Sequence, residues 1–171
     1  MPDFTQDPPV MPQLMLTLGQ VGTSLLILGC VTYAIKLVED RNPLAAIGFT
    51  MLSIAQGVIF VLYLMSYNGR EKFDEAYRMF SASLYLLIPS LVLIALYSGF
   101  RWWLRLLGIV ACIPYVTENI LFHLQGKFTP AIMNIDGAGN VLFNIVFLLW
   151  GIAVLRDTSR ELKLLKPADA G

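Results

Sequence analysis

Charged residues are scarce in this chain. Only 14% of its 171 residues are Asp, Glu, Lys or Arg, while 57% are hydrophobic, and a typical soluble domain is about one-quarter charged. Twelve basic and twelve acidic residues give a formal net charge of zero, so no overall field attracts nucleic acid or an acidic partner. The composition therefore excludes an ordinary soluble domain and predicts no nucleic-acid partner.

Histidine and cysteine are rarer still. A single histidine, His123, cannot supply bis-histidine haem ligation, and a zinc site would have to add Glu118 and Asp136 from other parts of the chain. Both cysteines, Cys30 and Cys112, lie in apolar runs, where they are typical of small buried hydrophobic residues. The sequence has no CxxC, GxSxG or phosphate-binding glycine loop. We therefore predict no metal and no cofactor.

Long apolar segments are abundant instead. Five of them approach the ~20 residues that a helix needs to cross the hydrocarbon core of a bilayer. They predict an all-α, polytopic integral membrane protein, a five-helix transmembrane bundle with short loops. Residues 1–12 would form an external N-terminal segment, residues 13–157 the transmembrane domain, and residues 158–171 a cytoplasmic polar tail. The predicted spans are about 14–37, 43–66, 80–100, 102–124 and 131–155.

Local signals mark several helix boundaries. Asn42 with Pro43, and Thr129 with Pro130, have the residue types that favour an N-cap followed by a first helical residue. In residues 68–79, charged residues recur every four positions, which is typical of one helical face. This segment is predicted to extend the third span or to form an interfacial helix.

The loop charges predict an orientation. Five spans place eight of the twelve Lys and Arg residues on the side of the C-terminus, and cytoplasmic loops are enriched in both. We expect a cell-membrane protein with its N-terminus outside and its C-terminus in the cytoplasm. Trp102, Trp103 and Trp150 would then form an aromatic belt near the cytoplasmic interface. The eight basic residues are Lys36, Arg41, Arg101, Arg105, Arg156, Arg160, Lys163 and Lys166.

Polar side chains concentrate between Pro114 and Asn144. This stretch contains the deepest carboxylate, Glu118, and the one histidine, opposite a stripe in which Asp136, Asn140 and Asn144 stand four residues apart. Such groups are costly in hydrocarbon unless they face a partner or a water-filled cavity. We therefore regard this region, in the external half of the bundle, as the candidate site. The candidate ligand-binding residues are Glu118, Asn119, His123, Asp136, Asn140, Asn144, Gln20, Gln56, Tyr63 and Tyr115.

Three interpretations of this region remain open. The leading one is a hydrogen-bonded network that holds helices together; the second is a cavity for a small molecule, a lipid head group or an ion. Acid–base catalysis ranks last because Glu118 and His123 are five residues apart. They lie roughly 140° apart around an ideal helix and do not form the same-face pair of an HExxH site.

The functional hypotheses follow these interpretations. The first is a membrane protein that binds, and in one version transports, a small molecule or lipid, with Glu118 as the charged group. The amides of Asn140, Asn144 and Gln20 would orient the ligand, and Asp136 with His123 would line the external mouth. The second is an accessory or assembly subunit of a larger membrane complex, with a partner protein or a second copy against its small-residue faces. The third is a membrane-embedded enzyme that uses Glu118 as acid and base on a lipid-like substrate.

Overall fold

A computed structural model shows five α-helices in sequence. It describes the backbone of residues 13–67, 73–126 and 129–164, and the side chains of residues 17–62, 78–126 and 129–158. No strand occurs in these ranges. This confirms the predicted all-α, five-helix bundle. The helices are α1 (Gln13–Glu39), α2 (Pro43–Tyr67), α3 (Phe73–Ala95), α4 (Trp102–Gln125) and α5 (Pro130–Leu164).

Each helix contains an apolar stretch long enough to cross a bilayer. These stretches have 18 to 29 residues, whereas the hydrocarbon core requires about 20. Five such helices indicate a multi-pass membrane protein. The end of the bundle where α4 stops and α5 begins is called here the 125–130 end, and the other is the opposite end.

Close backbone contacts connect the helices in the order of the sequence. Within the described ranges, α1 contacts α2, α2 contacts α3, α3 contacts α4, and α4 contacts α5, with no such contact between other pairs. The first and last helices are also less buried than an inner helix. Of the apolar stretch, 44% is buried in α2 but only 17% in α1 and 22% in α5. The first and last helices are therefore peripheral, and α4 is the element between α3 and α5.

Helix boundaries agree with the capping signals in the sequence. Helix α2 begins at Pro43 and α5 at Pro130. The Thr129 carbonyl accepts from the backbone N–H of Met133 at 3.0 Å. Helix α4 ends at Gln125, and the next residue, Gly126, has a left-handed φ of 65° and donates its N–H to the Phe122 carbonyl, the usual role of a glycine at this position. The α4–α5 connection is therefore short, and the two helices pack against each other.

Three boundaries differ from the predicted spans. Helix α3 starts at Phe73, so from that residue onward the segment 68–79 extends the third span, as predicted. Residues 68–72 lie outside the described part. The same helix stops at Ala95, because residues 96–99 form a turn and the Arg105 Nε donates to the Ala95 carbonyl at 2.8 Å. Helix α5 continues to Leu164, since residues 152–164 contain no proline or glycine.

Trp150 belongs to the core and not to an aromatic belt, so that prediction was wrong for this residue. Only 1% of it is exposed. Its ring stacks on Phe100 with centroids 5.5 Å apart, and its Nε1 donates to the Leu104 carbonyl at 3.1 Å. A β-carbon at Gly108 would come within 2.5 Å of the indole. The ring fills the space that this glycine leaves, whereas Trp102 and Trp103 are exposed.

Candidate functional site

Glu118 is the central residue of the site. It lies on α4, is 0% exposed, and among the described residues neither of its carboxyl oxygens has a hydrogen-bond partner. A buried polar group without a partner costs free energy, and native proteins contain few of them. A carboxyl at this depth that accepts from no N–H or hydroxyl donor therefore needs an explanation.

Asp136 of α5 faces Glu118. The two carboxyls are close enough for their charges to interact. Their depth follows from the α4–α5 connection, because Glu118 lies seven residues before Gln125 and Asp136 six residues after Pro130. At 1.5 Å per residue, both are about 10 Å from the ends of their helices. A predicted pair of acidic residues is thus brought together between two neighbouring helices.

Asn140 connects Asp136 to α4. Its Nδ2 donates to Asp136 Oδ1 at 2.9 Å, and its Oδ1 accepts from the Tyr115 hydroxyl at 3.1 Å. The neighbouring Asn144 Nδ2 donates to the Asn140 carbonyl at 2.7 Å. These bonds fix which way the Asn140 amide points, since its oxygen faces a hydroxyl donor and its nitrogen a carboxylate. We call Glu118, Asp136, Asn140 and Tyr115 the Glu118 cluster.

A close approach of the two helices supports this cluster. A β-carbon at Gly139 would lie 3.1 Å from the Pro114 β-carbon and 3.3 Å from Tyr115 Cε1. A small residue is therefore required where α5 crosses the Tyr115 ring. Phe143, one turn further along α5, meets the same ring edge-to-face at 6.4 Å between centroids. The tyrosine ring is thereby fixed, and its hydroxyl is directed at Asn140.

His123 belongs to a different set of contacts. Asn119 Oδ1 accepts from the Ser81 hydroxyl of α3 at 2.7 Å, and the backbone carbonyl of Asn119 lies 2.8 Å from His123 Nδ1. His123 Nε2 lies 3.3 Å from the Tyr85 hydroxyl, also of α3. Since a carbonyl only accepts, the contact with Asn119 requires a hydrogen on His123 Nδ1. We call these four residues the Asn119 cluster.

The division follows from helix geometry. Asn119 and His123 are one turn apart and both point towards α3, while Glu118 precedes Asn119 by one residue, or 100° around the helix, and points towards α5. The expectation that His123 lines a mouth together with Asp136 finds no described contact. Ser81 and Tyr85 were not predicted as site residues, although their spacing of four residues in α3 places them on one helical face.

The remaining candidates lie away from the Glu118 cluster. Gln20 is half-buried in α1, and the described close backbone contacts of α1 are with α2 alone. Gln56 is buried in α2, which likewise makes no such contact with α4 or α5. Tyr63 falls in α2, but its side chain lies outside the described part. The structure therefore brings together Glu118, Tyr115, Asp136 and Asn140, with Asn144 beside them.

Metal ligands do not gather in the described ranges. No three His, Cys, Asp or Glu side chains come together there in a way that could hold a metal ion, and Cys30 and Cys112 are free and buried. The chemistry that the cluster offers is that of two carboxyls and an oriented amide: binding a positive charge or hydrogen-bond donors.

Comparison of the chain with protein-family models, curated proteins and solved structures found no match in any of the three. The functional argument therefore depends on the geometry of the two clusters.

Proposed function

We propose that this multi-pass membrane protein binds a small molecule or a lipid head group at the Glu118 cluster. The observation that supports the proposal is the fully buried Glu118 carboxyl, which has no hydrogen-bond partner among the described residues. If Glu118 only held helices together, we would expect it to face a hydrogen-bond donor, as Asn119 faces the Ser81 hydroxyl at 2.7 Å, and not a second carboxyl. A ligand that partners Glu118 would remove the cost of its isolation.

The proposed site has a buried tyrosine on one side and exposed asparagines on the other. Tyr115 is buried and fixed by its neighbours, whereas Asn140 and Asn144 are exposed on α5. Exposed amides at this depth of a membrane helix offer hydrogen bonds to a ligand that enters from the surface of α5. Binding between facing helices is a common arrangement in bundles.

Native mass spectrometry of the gently extracted protein tests this function. We expect a small molecule retained with the wild-type chain at one copy per chain, and its loss in Glu118→Gln, which keeps the size of the side chain but removes the charge. Glu39→Gln is the matched control because Glu39 is an exposed glutamate at the opposite end of the bundle. Absence of any small mass, or equal retention by Glu118→Gln and wild type, would contradict the proposal.

A second candidate function is supported by α1. Gly19, Gly22 and Gly29 are exposed, and a β-carbon at any of them would meet nothing within 4 Å. Small residues allow close packing of membrane helices, so this face fits a helix of a partner subunit. The same mass spectra distinguish the two functions, because a subunit would carry a stoichiometric protein partner that Gly22→Leu releases and Glu118→Gln does not.

We also propose the orientation that the basic residues predict, with the 125–130 end outside the cell. Eight of twelve Lys and Arg residues belong to the opposite end or to the C-terminal segment. Protease added to intact cells should remove an epitope tag placed before Met1 and leave a tag placed after Gly171 untouched. The reverse pattern would place the Glu118 cluster towards the cytoplasm.

A further inference from the structure

The carboxyl oxygens of the Glu118 cluster differ in whether a donor reaches them. Asp136 Oδ1 receives the Asn140 amide hydrogen at 2.9 Å. Neither Glu118 oxygen accepts from an N–H or hydroxyl donor of the described residues, and the polar group that Glu118 meets is the Asp136 carboxyl. Two facing carboxyls therefore share a single amide donor, that of Asn140.

No positive charge in the described ranges offsets these carboxyls. The polar side chains that meet Glu118 and Asp136 are each other and the Asn140 amide, and none of these carries a positive charge. His123, only five residues from Glu118, is hydrogen-bonded to Asn119 and Tyr85 instead. An anionic ligand would be repelled by an ionised carboxyl, and beside a neutral one only bound protons could remove the charge of two facing carboxyls in a low-dielectric environment. A cationic ligand lets both carboxyls keep their charge.

We infer that the ligand presents a primary ammonium group, which Glu118 and Asp136 bind together; this inference rests on the proposed function. A primary ammonium has three N–H donors in addition to its charge, so one such group can donate to both carboxyls at once. Hydrogen bonds between a charged donor and a charged acceptor are stronger than neutral ones. The group thus supplies both of the things that the cluster lacks, donors and positive charge.

Other cations fit less well. Calcium takes six to eight oxygen ligands, whereas the two carboxyls have four oxygens between them, one of which already accepts from Asn140. A quaternary ammonium has no N–H donor and is usually held by the faces of several aromatic rings. At the cluster, the described aromatic residue is Tyr115, and its hydroxyl donates to Asn140. The ammonium group can belong to a small soluble amine or to the head group of an aminolipid, since the chemistry at the carboxyls is the same.

Thermal unfolding of the full chain in detergent tests the ammonium specificity. Methylammonium chloride should raise Tm in a saturable way, by on the order of 5 °C at a hundred times its Kd. Tetramethylammonium chloride and sodium chloride at equal ionic strength should have less than one-fifth of that effect, because neither carries an N–H donor. An equal rise with tetramethylammonium, or a rise with sodium alone, would overturn the inference.

Two variants test whether the methylammonium effect on Tm arises at the Glu118 cluster. The methylammonium shift should disappear in Glu118→Gln and fall at least tenfold in apparent affinity in Asp136→Asn, while Glu39→Gln keeps the wild-type shift. Asp136→Asn retains an oxygen that can accept from Asn140, so this variant still tests the inference if Glu118→Gln does not fold. A shift that survives in both variants would place the ammonium elsewhere and overturn the inference.

Nanodiscs distinguish the two sources of the amine. If the ligand is an aminolipid, phosphatidylethanolamine should raise Tm relative to phosphatidylcholine, and Glu118→Gln should remove the difference. If it is a soluble amine, the two lipids should give the same Tm and only methylammonium should raise it. A molecule retained in native mass spectra that depends on Glu118 but lacks a primary amine would leave the proposed function standing and overturn only the ammonium inference.

Discussion

The polar side chains on the two faces of α4 differ in whether they meet a hydrogen-bonding partner of the other kind. Towards α3, Asn119 and His123 each meet a partner: the Ser81 hydroxyl at 2.7 Å and the Tyr85 hydroxyl at 3.3 Å. Towards α5, Glu118 accepts from no N–H or hydroxyl donor of the described chain and faces another carboxyl, that of Asp136. The comparison separates polar groups that hold helices together from a polar group that the bundle alone does not satisfy.

The two sides of α4 also differ in burial, and the residue with hydrogen-bond partners is the more exposed one. His123, which is paired, is exposed, while Glu118, which is unpaired, is 0% exposed. The unmet hydrogen bonds therefore lie where water is least able to supply them, and where a missing partner is most costly. This difference supports the proposal that a ligand binds on the α5 side of α4, while the polar groups on the α3 side hold the helices together.

The largest effect should come from disturbing the contact of α4 with α5. In Gly139→Leu, the new side chain would collide with Pro114 and Tyr115, whose atoms lie 3.1 and 3.3 Å from the β-carbon position. Overpacking of this kind costs roughly 1–3 kcal/mol, and it should also abolish ligand retention. The matched control is Gly137→Leu, since a β-carbon there meets nothing within 4 Å.

Denaturant or thermal unfolding, with native mass spectra of both variants, measures these outcomes. If Gly137→Leu is as damaging as Gly139→Leu, then the cause is the loss of a helical glycine and not the close approach of the two helices.

A smaller effect is expected on the α3 side. Ser81→Ala removes the hydroxyl that donates to Asn119 Oδ1, and a hydrogen bond between membrane helices contributes about 0.6–1.7 kcal/mol. The variant should lose stability in that range and retain the ligand. Glu118→Gln should do the reverse, losing the ligand with little loss of stability, because the amide can donate to Asp136. Loss of ligand from Ser81→Ala would mean that the two clusters act as one site.

Much of the fold could be predicted from the sequence because its signals are local. Five apolar segments of the right length gave five helices, and the pairs Asn42–Pro43 and Thr129–Pro130 marked two helix starts. The end of α3 was less predictable, since the turn at residues 96–99 depends on contacts from Arg105 and on the burial of Phe100. Trp150 was misassigned because composition alone does not distinguish an interfacial tryptophan from one that packs on Gly108.

The candidate site was predictable only in part. Helical spacing brought Glu118 near Asp136 and aligned Asp136 with Asn140, because a short connection fixes the depth of residues on two neighbouring helices. Spacing could not show which side of α4 faces which neighbour. It therefore grouped His123 with Asp136 and added Gln20, whereas the structure turns His123 to Tyr85 and keeps α1 against α2.

Two tyrosines of α3 and α4 allow the smallest and most specific test. Tyr115→Phe removes the hydroxyl that donates to Asn140 Oδ1 at 3.1 Å, so the amide that orients Asp136 loses one of its two anchors. Tyr85→Phe removes the hydroxyl beside His123 Nε2. Each change deletes one oxygen atom and should cost about 0.6 kcal/mol of stability, the average for such bonds in membranes.

The two variants should differ in ligand affinity. Tyr115→Phe should weaken binding of methylammonium several-fold, because Asn140 can then rotate away from Asp136 and leave that carboxylate less well placed. Tyr85→Phe should leave the affinity unchanged, since its contact lies on the α3 side of α4. Titrations followed by Tm measure both affinities, and equal affinities in the two variants would show that the orientation of Asn140 has no part in binding. Glu118 would then hold the ligand without help from the amide beside it.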